Sequence, residues 1–469
     1  MQRERVERLA RRLGAELVET HISWVVLLPD RVYKLKKPLR LPFVDYSTPE
    51  RRQAFCEEEV RLNRRLAPTL YLGVSRVTGP ADAPAFDGTG ETLDHAVRMV
   101  RFPEEATFAA RAQAARLGPA DVDRLAAMLS AFHAAAPAVR DPAPATLSQR
   151  ALAVLDACAA LLSMEDGEAL RACIGTEASV AEPLWQQRRA SGHARDVHGD
   201  LHLANLLELG DEVLAFDCIE FDPGLRCIDV LEDAAFAAMD LAAHGLPALC
   251  WRFLNAWLEG TGEYDALPGL RLCLVYRALV RASAQHLREA RSARALHYAA
   301  QALAWSRRTP ARLVITHGLP GSGKTWASQR LLEREGAIRI RSDVERKRLH
   351  GLAALADSRA SGLEIYGTEA TQRTYERLFA LASPILQAGW TVVLDAAFLR
   401  RAERNAARSL AQSLGVPFAI LHCEAPAEVL RDRIAGRRGD ASEADQAVLE
   451  KLLAQAEPLA DDERPLVCA

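Results

Sequence analysis

Residues 318–325 read GLPGSGKT, and this motif indicates the fold of the second half of the chain. It fits the pattern G-x-x-x-x-G-K-[ST], follows the apolar run RLVIT (312–316) and precedes the helical pattern WASQRLLERE (326–335). A glycine-rich turn from strand to helix points backbone N–H groups at phosphate, and the helix N-terminus adds partial positive charge. The stretch therefore predicts a phosphate-binding loop.

Two side chains of this loop have separate expected roles. Lys324 is expected to reach the β- and γ-phosphates of ATP, and Thr325 to ligate Mg²⁺. The loop residues expected to bind the nucleotide are Gly318, Gly321, Ser322, Gly323, Lys324 and Thr325.

Acidic residues end two of the later apolar strands. Asp343 follows the strand in IRIRSDVERKR (338–348), and Asp395 ends the strand in TVVLDAAF (391–398). Strand carboxyl ends in a parallel sheet face the ligand crevice. Asp343 is therefore a candidate base for an acceptor hydroxyl, the alternative being an N-cap of the next helix. Asp395 is expected to hold the Mg²⁺ shell through water.

A basic run follows in LRDRIAGRRGDASEAD (430–445). Arginines near a glycine hinge are what a lid over transferring phosphate needs, and the alternative interpretation is a solvated helix face. The arginines are Arg431, Arg433, Arg437 and Arg438, of which Arg433 and Arg437 are the candidate nucleotide ligands.

Together these motifs resemble the small P-loop kinases of the gluconate-kinase, polynucleotide-kinase and zeta-toxin group. The resemblance covers about 311–465. It implies an α/β P-loop fold with a parallel sheet and kinase chemistry with ATP and Mg²⁺. It leaves the acceptor open, because members of the group differ in acceptor.

A second motif lies in the first half, where residues 198–205 read HGDLHLAN. Asp200 is a candidate base and Asn205 a candidate metal ligand, at the spacing H-R-D-x-x-x-x-N. Asp217 follows the hairpin pattern LLELGDEVLAFD (206–217) and is placed like a Mg²⁺-binding aspartate. This spacing predicts a second phosphotransfer site.

The remaining parts of that site are expected upstream. The pattern VYKLKKP (32–38) puts Lys34 and Lys36 on one face of a strand. One of them is expected to contact the phosphates of ATP and to pair with an acid of the helix CEEEVRLNRRL (56–66), with Glu58 or Glu59 favoured. An exposed charge cluster is the alternative interpretation.

The first half resembles the aminoglycoside-phosphotransferase group, small-molecule relatives of the protein kinases, over about 20–290. HGDLHLANLL (198–207) and AFDCIEFDP (215–223) are its most specific pieces. The resemblance implies an α+β protein-kinase-like fold with a small lobe (1–104) and a large lobe (105–305).

This half departs from the kinase patterns at several points. Gly199 replaces the arginine of H-R-D, and neither an A-P-E motif nor a phosphorylatable activation segment follows Asp217. No glycine-rich loop precedes the lysine strand, so ETHISW (19–24), with Ser23 as donor, is expected to cover the phosphates. We place the boundary at 305–311, with the P-loop domain at 311–469. This order resembles that of bacterial proteins described as predicted bifunctional kinases.

Composition sets the remaining expectations. The 469 residues carry a net charge of −3, which gives no electrostatic case for nucleic acid as partner. The nine cysteines are scattered singly, and no apolar run is long enough for a membrane span. With no cleavable signal at its start, the chain is expected to be cytoplasmic, with small hydroxylated molecules as partners. The oligomeric state stays open.

The sequence thus predicts a bifunctional ATP- and Mg²⁺-dependent phosphotransferase whose two domains each phosphorylate a hydroxyl of a small molecule. One alternative is a nucleotide-gated regulator, in which one ATP-binding domain controls the other. Another is a zeta-toxin-like kinase of nucleotide sugars.

Overall fold

The computed structural model describes residues 2–41, 44–80, 82–358, 363, 365–436 and 441–468. The chain forms two compact units. Unit 1 comprises residues 1–162, 185–240 and 277–299, and unit 2 comprises residues 163–184, 241–276 and 300–469. The units therefore interleave along the chain, and the predicted boundary at 305–311 falls inside the last segment of unit 2.

The secondary-structure elements are numbered here in chain order. The strands are β1 (Glu16–Glu19), β2 (Ser23–Leu27), β3 (Arg31–Lys36), β4 (Arg40–Leu41), β5 (Val44–Asp45), β6 (Tyr71–Thr78), β7 (Ala85–Phe86), β8 (Thr92–Val100), β9 (Ala194–Asp196), β10 (Leu206–Leu209), β11 (Glu212–Ala215), β12 (Cys227–Asp229), β13 (Leu313–His317), β14 (Ala337–Arg341), β15 (Thr391–Asp395), β16 (Phe418–His422) and β17 (Val467–Cys468). The helices are α1 (Arg3–Arg12), α2 (Pro49–Asn63), α3 (Phe108–Gln113), α4 (Pro119–Ala135), α5 (Leu147–Ala157), α6 (Met164–Ala190), α7 (Pro223–Arg226), α8 (Val230–Ala243), α9 (Pro247–Thr261), α10 (Leu270–Arg288), α11 (Ala293–Ser306), α12 (Lys324–Glu335), α13 (Ser342–Leu349), α14 (Thr368–Gln387), α15 (Arg401–Ser413), α16 (Ala427–Ala435) and α17 (Gln446–Gln455).

Unit 1 contains a six-stranded antiparallel sheet in the order β1-β2-β3-β8-β6-β7. The alternating apolar residues of HISWVVLLPDRVYKLKKP (21–38) predict two strands joined at Pro29–Asp30. These strands are β2 and β3, and they pair as a hairpin with Val25 opposite Lys34. Alternating residues of these strands face the core, where Trp24, Val26 and Leu35 are buried. The predicted hairpin is confirmed.

Helix α2 packs against this sheet and begins with a strong capping signal. The Thr48 hydroxyl accepts a hydrogen bond from the Arg51 N–H at 3.3 Å, and Pro49 occupies the first turn. Cys56 and Val60 join the apolar core on its inner face. Because Glu59 lies on that same face, the helix carries a carboxylate into the interior.

The sequence predicts a long helical region from about 149 to 190, and the structure interrupts it. Helix α5 ends at Ala157, a short 3-10 turn covers Ala159–Leu161, and α6 begins at Met164. The periodic pattern did not reveal this break. No described helix has the length and apolarity required to cross a bilayer.

Unit 2 is built on a five-stranded parallel sheet in the order β14-β15-β13-β16-β17. The apolar runs RLVIT, AIRIR, TVVLDA and FAILHC predict four strands that alternate with helices. They are β13 to β16, and the prediction of a parallel sheet with intervening helices is confirmed. The short strand β17 was not predicted, because its two residues are too few to show a pattern. The carboxyl ends of β14, β15 and β16 line one cavity, together with the loop that follows β13.

Candidate active sites

The strand lysines and helix acid of unit 1 meet as predicted, with one carboxylate shared by both lysines. Lys34 donates to Glu59 Oε1 at 2.9 Å and to Asp217 Oδ1 at 2.5 Å. Burial opposes the charge on Lys34, but the carboxylates of Asp217 and Glu59 outweigh it and hold the lysine pKa well above its ordinary value. Lys34 therefore links the sheet, α2 and the segment after β11.

Lys36 lies deeper than Lys34. It donates to Glu59 Oε2 at 2.8 Å and also contacts Glu220, whose carboxylate accepts a hydrogen bond from the Tyr46 hydroxyl at 2.7 Å. The side chain of Lys36 is fully buried. Burial again opposes its charge, and Glu220 and Glu59 raise its pKa well above the ordinary value.

Glu58, the other favoured acid, points away from both lysines. It pairs with Arg61 at 2.7 Å and with Arg226 at 3.1 Å. Of the two alternatives left by the sequence, Glu59 is the partner of the lysines. Burial raises its pKa and the two ammonium groups lower it, with a net value of about 2.

His198 organises the turn that carries Asp200. Its Nδ1 accepts a hydrogen bond from the Asp200 N–H at 3.2 Å, so the proton is assigned to Nε2, which lies 3.0 Å from the carbonyl oxygen of Phe216. Burial, partly offset by Asp233 and Asp200, lowers the His198 pKa. The ring is therefore a neutral structural link between the turn and the end of β11.

Asp200 and Asn205 are hydrogen-bonded to each other. Asn205 Nδ2 donates to the Asp200 carbonyl at 3.0 Å and to Asp200 Oδ2 at 3.1 Å. Burial raises the pKa of Asp200, but His202 and Arg281 outweigh it and hold that pKa well below the usual range. Asp200 is thus an oriented carboxylate that stays ionised at neutral pH.

Gly199 has a structural reason to replace arginine. Its φ of 84° lies in the left-handed region, and a Cβ placed there would meet the Leu225 carbonyl oxygen at 2.8 Å. Its N–H donates to Asp233 Oδ1 at 2.8 Å. The close approach of backbone to backbone leaves no room for a side chain.

The hairpin β10–β11 brings Asn205 and Asp217 to one end of the turn that carries Asp200. The Phe216 N–H donates to the Asn205 carbonyl at 3.0 Å, and Asp217 follows with a positive φ of 63°. Among the described residues, no group of three or more His, Cys, Asp or Glu side chains could hold a metal ion. An amide and a carboxylate oxygen do fit Mg²⁺, which keeps several waters and binds substrate phosphates.

The prediction that Ser23 covers the phosphates is wrong. Ser23 opens β2 and is fully buried, and its Oγ has no hydrogen-bond partner among the residues that the structure describes. The backbone N–H of Ser23 is satisfied by Thr20 Oγ1 at 2.9 Å. The strand pairing turns the hydroxyl inwards.

In unit 2 the predicted loop has the shape that phosphate binding requires. Gly318, Gly321 and Gly323 have φ values of 151°, 83° and 95°. A Cβ on Gly318 would meet the Cys423 carbonyl oxygen at 2.2 Å, so this position admits no side chain. Lys324 folds over the loop and donates to the Leu319 carbonyl at 2.9 Å.

The predicted metal residues of unit 2 are joined by a serine that sequence reasoning missed. Ser328 Oγ lies 3.1 Å from the Thr325 carbonyl and 3.2 Å from Asp395 Oδ2. Asp395 ends β15 and is 5% exposed, and Thr325 and Asp395 line the same cavity. A hydroxyl and a carboxylate are hard oxygen ligands that fit Mg²⁺.

Asp343 lies in the first turn of α13. The N-cap of this helix is Arg341 and its first residue is Ser342, so the interpretation of Asp343 as the N-cap is wrong. Asp343 is partly exposed and lines the cavity together with the loop.

The basic run is described only in part. Arg433 Nη1 donates to the Gly321 carbonyl at 3.0 Å, which places its guanidinium against the loop. Arg431 pairs with Glu450 at 2.8 Å on the surface, as expected for a solvated face. The predicted residues Arg437 and Arg438 lie outside the described residues.

The phosphate-binding loop, Asp343, Asp395 and Arg433 line a cavity of about 1710 Å³. Its wall beyond Asp343 includes polar residues that the sequence did not reveal, among them Arg346, Tyr375 and Glu403. The Tyr375 hydroxyl donates to Glu403 Oε2 at 3.2 Å, and burial raises the pKa of Glu403. The 7% exposed Arg346 donates to the Ile365 carbonyl at 3.0 Å. These residues are scattered through the sequence and form no motif.

Comparisons with known proteins agree with this description of unit 2. Residues 313–459 match the family model described as AAA domain (AAA_33). Uncharacterized proteins of Mycobacterium tuberculosis and Mycobacterium bovis are each 29% identical over 455 residues, covering 93% of this chain and 89% of theirs.

The chain is also similar to two solved kinase structures. A glucosamine kinase in complex with glucosamine, ADP and inorganic phosphate is 16% identical, with a TM-score of 0.38, over 62% of this chain and 78% of that one. A gluconokinase from Sinorhizobium meliloti 1021 is 22% identical, with a TM-score of 0.24, over 35% of this chain and 83% of that one. The C-terminal part of the chain is a P-loop domain with a parallel sheet, similar to the AAA domain family.

Proposed function

We propose that the protein is a bifunctional kinase, in which each of two sites transfers the γ-phosphate of ATP to a hydroxyl of a small molecule. The observation that supports the proposal is that each site brings together a lysine and several oxygen-bearing side chains, which would serve as phosphate ligand, metal ligands and base. In unit 1 these are Lys34, Asp217 and Asp200. In the P-loop site the corresponding residues are Lys324, the pair Thr325 and Asp395, and Asp343.

The proposed chemistry in unit 1 follows from the contacts of Lys34. Glu59 holds the ammonium in place, and its second partner, Asp217, would be released to the metal when phosphate oxygens replace it. Asp200 would accept the proton of the acceptor hydroxyl as the new O–P bond forms and the bond to ADP breaks. Asn205 and Asp217 would hold Mg²⁺, which neutralises charge on the phosphates.

This arrangement supports a protein-kinase-like fold for unit 1, of the aminoglycoside-phosphotransferase kind. The buried Lys36 has a different part, because its contacts with Glu59 and Glu220 are internal. Lys36 would fix the carboxylate on which Lys34 depends.

In unit 2, the loop backbone and Lys324 would bind the phosphates, and Arg433 is placed to add a positive charge beside Gly321. Thr325 and Asp395 would hold Mg²⁺. Asp343 would accept the acceptor proton across the cavity. Ligand cavities usually measure about 300–1,000 Å³, so the cavity of about 1710 Å³ has room for nucleotide and acceptor together.

Release of ADP tests the proposal directly. The full chain is incubated with ATP, Mg²⁺ and a panel of sugars, aminoglycosides, nucleosides and nucleotide sugars. Acceptor-dependent ADP release with a phosphorylated product seen by mass spectrometry is the expected result. ATP binding without transfer to any acceptor class would instead favour the nucleotide-gated regulator, and transfer confined to nucleotide sugars would favour the toxin-like reading.

A further inference from the structure

A helix from earlier in the chain packs on one edge of the parallel sheet. Strand β14 is an edge strand, and Asn255 on α9 contacts its backbone at two positions. Asn255 Nδ2 donates to the Ala337 carbonyl at 2.9 Å, and Oδ1 accepts the Arg339 N–H at 2.6 Å. An edge strand otherwise presents unpaired backbone groups. Helix α9 is thus fixed to the P-loop sheet, although it precedes the predicted boundary at 305–311.

Arg339 connects this helix to the phosphate-binding loop. Its Nε and Nη2 donate to Glu259 Oε1 at 3.0 and 2.6 Å. Its Nη1 donates to the Thr325 carbonyl at 3.2 Å and to Ser328 Oγ at 3.4 Å. Arg339 is 5% exposed, so its buried charge depends on Glu259 for compensation.

Arg339 reaches both proposed metal residues, Thr325 through its backbone carbonyl and Asp395 through the hydroxyl of Ser328. Ser328 has one hydroxyl proton but lies within hydrogen-bond distance of two acceptors, the Thr325 carbonyl and Asp395 Oδ2. A carboxylate is a stronger acceptor than a neutral carbonyl, so the proton of Ser328 is assigned to Asp395 Oδ2, while Arg339 donates to the Ser328 oxygen and to the Thr325 carbonyl. Arg339 therefore positions both proposed metal residues.

A second arginine lies between the same two acids. Arg341 Nη1 donates to Glu259 Oε2 at 3.4 Å, and its Nε lies 3.9 Å from Asp395 Oδ2. The contact with Glu259 thereby holds the guanidinium of Arg341 away from a close ion pair with Asp395. Without that carboxylate, Arg341 would turn to Asp395 and compete with a metal for it.

We propose that Glu259 is a positioning residue of the P-loop site, which acts through Arg339 and Arg341 to keep Thr325 and Asp395 ready for Mg²⁺. The inference rests on the proposed function of that site. It also makes α9 a part of the P-loop catalytic unit. A fragment that begins at residue 311 lacks this helix.

The test measures metal-dependent nucleotide binding by the full chain, without turnover. Calorimetry follows a non-hydrolysable ATP analogue with and without Mg²⁺, and the P-loop component is the binding that Lys324→Ala removes. Glu259→Gln is expected to reduce the gain in affinity from Mg²⁺ by roughly 10–100-fold, as for other residues that orient metal ligands. Metal-free binding of the analogue is expected to stay unchanged.

The chain offers a matched control. Glu333 on α12 pairs with Arg252 on α9 at 2.9 Å, so it joins α9 to α12 as the Glu259 network does, but its other hydrogen-bond partner is Gln329 rather than Arg339 or Arg341. Glu333→Gln is expected to keep the full gain from Mg²⁺. If Glu259→Gln does not fold, Arg339→Lys, which keeps the charge but loses the forked donors, is expected to show the same selective loss.

The outcomes separate the inference from the proposed function. If the wild type shows no binding that Lys324→Ala removes, the proposed function of the P-loop site fails. If that binding is present and Glu259→Gln and Arg339→Lys keep the full gain from Mg²⁺, the inference is overturned while the site stands. An equal loss in Glu259→Gln and Glu333→Gln would also overturn it, because the effect would then belong to helix packing.

Discussion

Lys34 lies 2.5 Å from the carboxylate of Asp217, a residue 183 positions further along the chain. The same ammonium also binds Glu59, whose other oxygen binds Lys36. One buried carboxylate thus serves two lysines in different surroundings. The side chain of Lys34 is 15% exposed and its partner Asp217 43% exposed, whereas Lys36 is fully enclosed. The two lysines therefore have separable consequences.

Lys36→Ala is expected to damage stability, and Lys34→Ala to damage activity. Removing Lys36 leaves buried carboxylates at Glu59 and Glu220 without their shared cation, at a cost of about 3–5 kcal/mol. Removing Lys34 leaves Glu59 paired with Lys36, so the loss of stability is smaller while phosphate binding in unit 1 is lost. Thermal unfolding and ADP release measure the two effects. The assignment of roles is wrong if Lys34→Ala is the less stable variant and retains turnover.

The pKa of Glu59 predicts an acid-dependent contribution to stability. Its pKa is lowered from 4.5 to about 2, because the two lysines outweigh the effect of burial. A lowered pKa in the folded state contributes stability that is complete above 4.5 and lost as the pH falls towards 2. The difference in unfolding free energy between the wild type and Glu59→Gln should therefore shrink over that window.

Urea unfolding at a series of pH values measures this difference. Comparing the two proteins at each pH removes the contribution of all other carboxylates. A difference in unfolding free energy that stays constant from pH 5 to pH 2 would show that the lysines do not lower the pKa of Glu59.

At position 199 even a substitution by alanine is expected to lower the stability of the protein. The left-handed backbone alone costs a non-glycine residue about 1–2 kcal/mol, and the Leu225 carbonyl adds a contact at 2.8 Å. Gly210, in the turn of the neighbouring hairpin, has a φ of 61° and nothing within 4 Å of its Cβ position. Gly199→Ala should therefore lower the unfolding temperature more than Gly210→Ala does, and equal effects would show that the clash with Leu225 is relieved at no cost.

The elements that sequence analysis predicted well are those encoded locally. The loop at 318–325 is a continuous motif between a strand and a helix, and the hairpin of β2 and β3 shows alternating burial. Asp200, Asn205 and Asp217 were found because one short turn and one hairpin hold them together. In each case a few neighbouring residues contain the whole signal.

What could not be predicted depends on contacts between distant parts of the chain. The choice of Glu59 over Glu58 follows from which face of α2 meets the sheet, and the neighbouring residues allowed both. The glycine at 199 is explained by a carbonyl at Leu225 and a carboxylate at Asp233. The contact of Asn255 with β14 joins residues on opposite sides of the predicted boundary, where no local pattern exists.

The two proposed sites should turn over independently. Asp200→Asn is expected to reduce transfer at the unit 1 site by roughly 10²–10⁴-fold, because the acceptor hydroxyl loses its base. Asp217→Asn should act similarly by weakening Mg²⁺ binding. Lys324→Ala should remove transfer at the P-loop site, where phosphate charge is left uncompensated.

The measurement is acceptor-dependent ADP release by the full chain carrying each change alone and by Asp200→Asn combined with Lys324→Ala. Each single variant should retain the turnover of the other site, since each site has its own lysine, metal ligands and base, and the losses should add in the combined variant. None of the changes removes an apolar core residue, so unfolding temperatures should stay close to the wild type. If either single change abolishes all turnover, the sites do not act as two kinases. One unit would then be better described as a nucleotide-dependent regulator of the other.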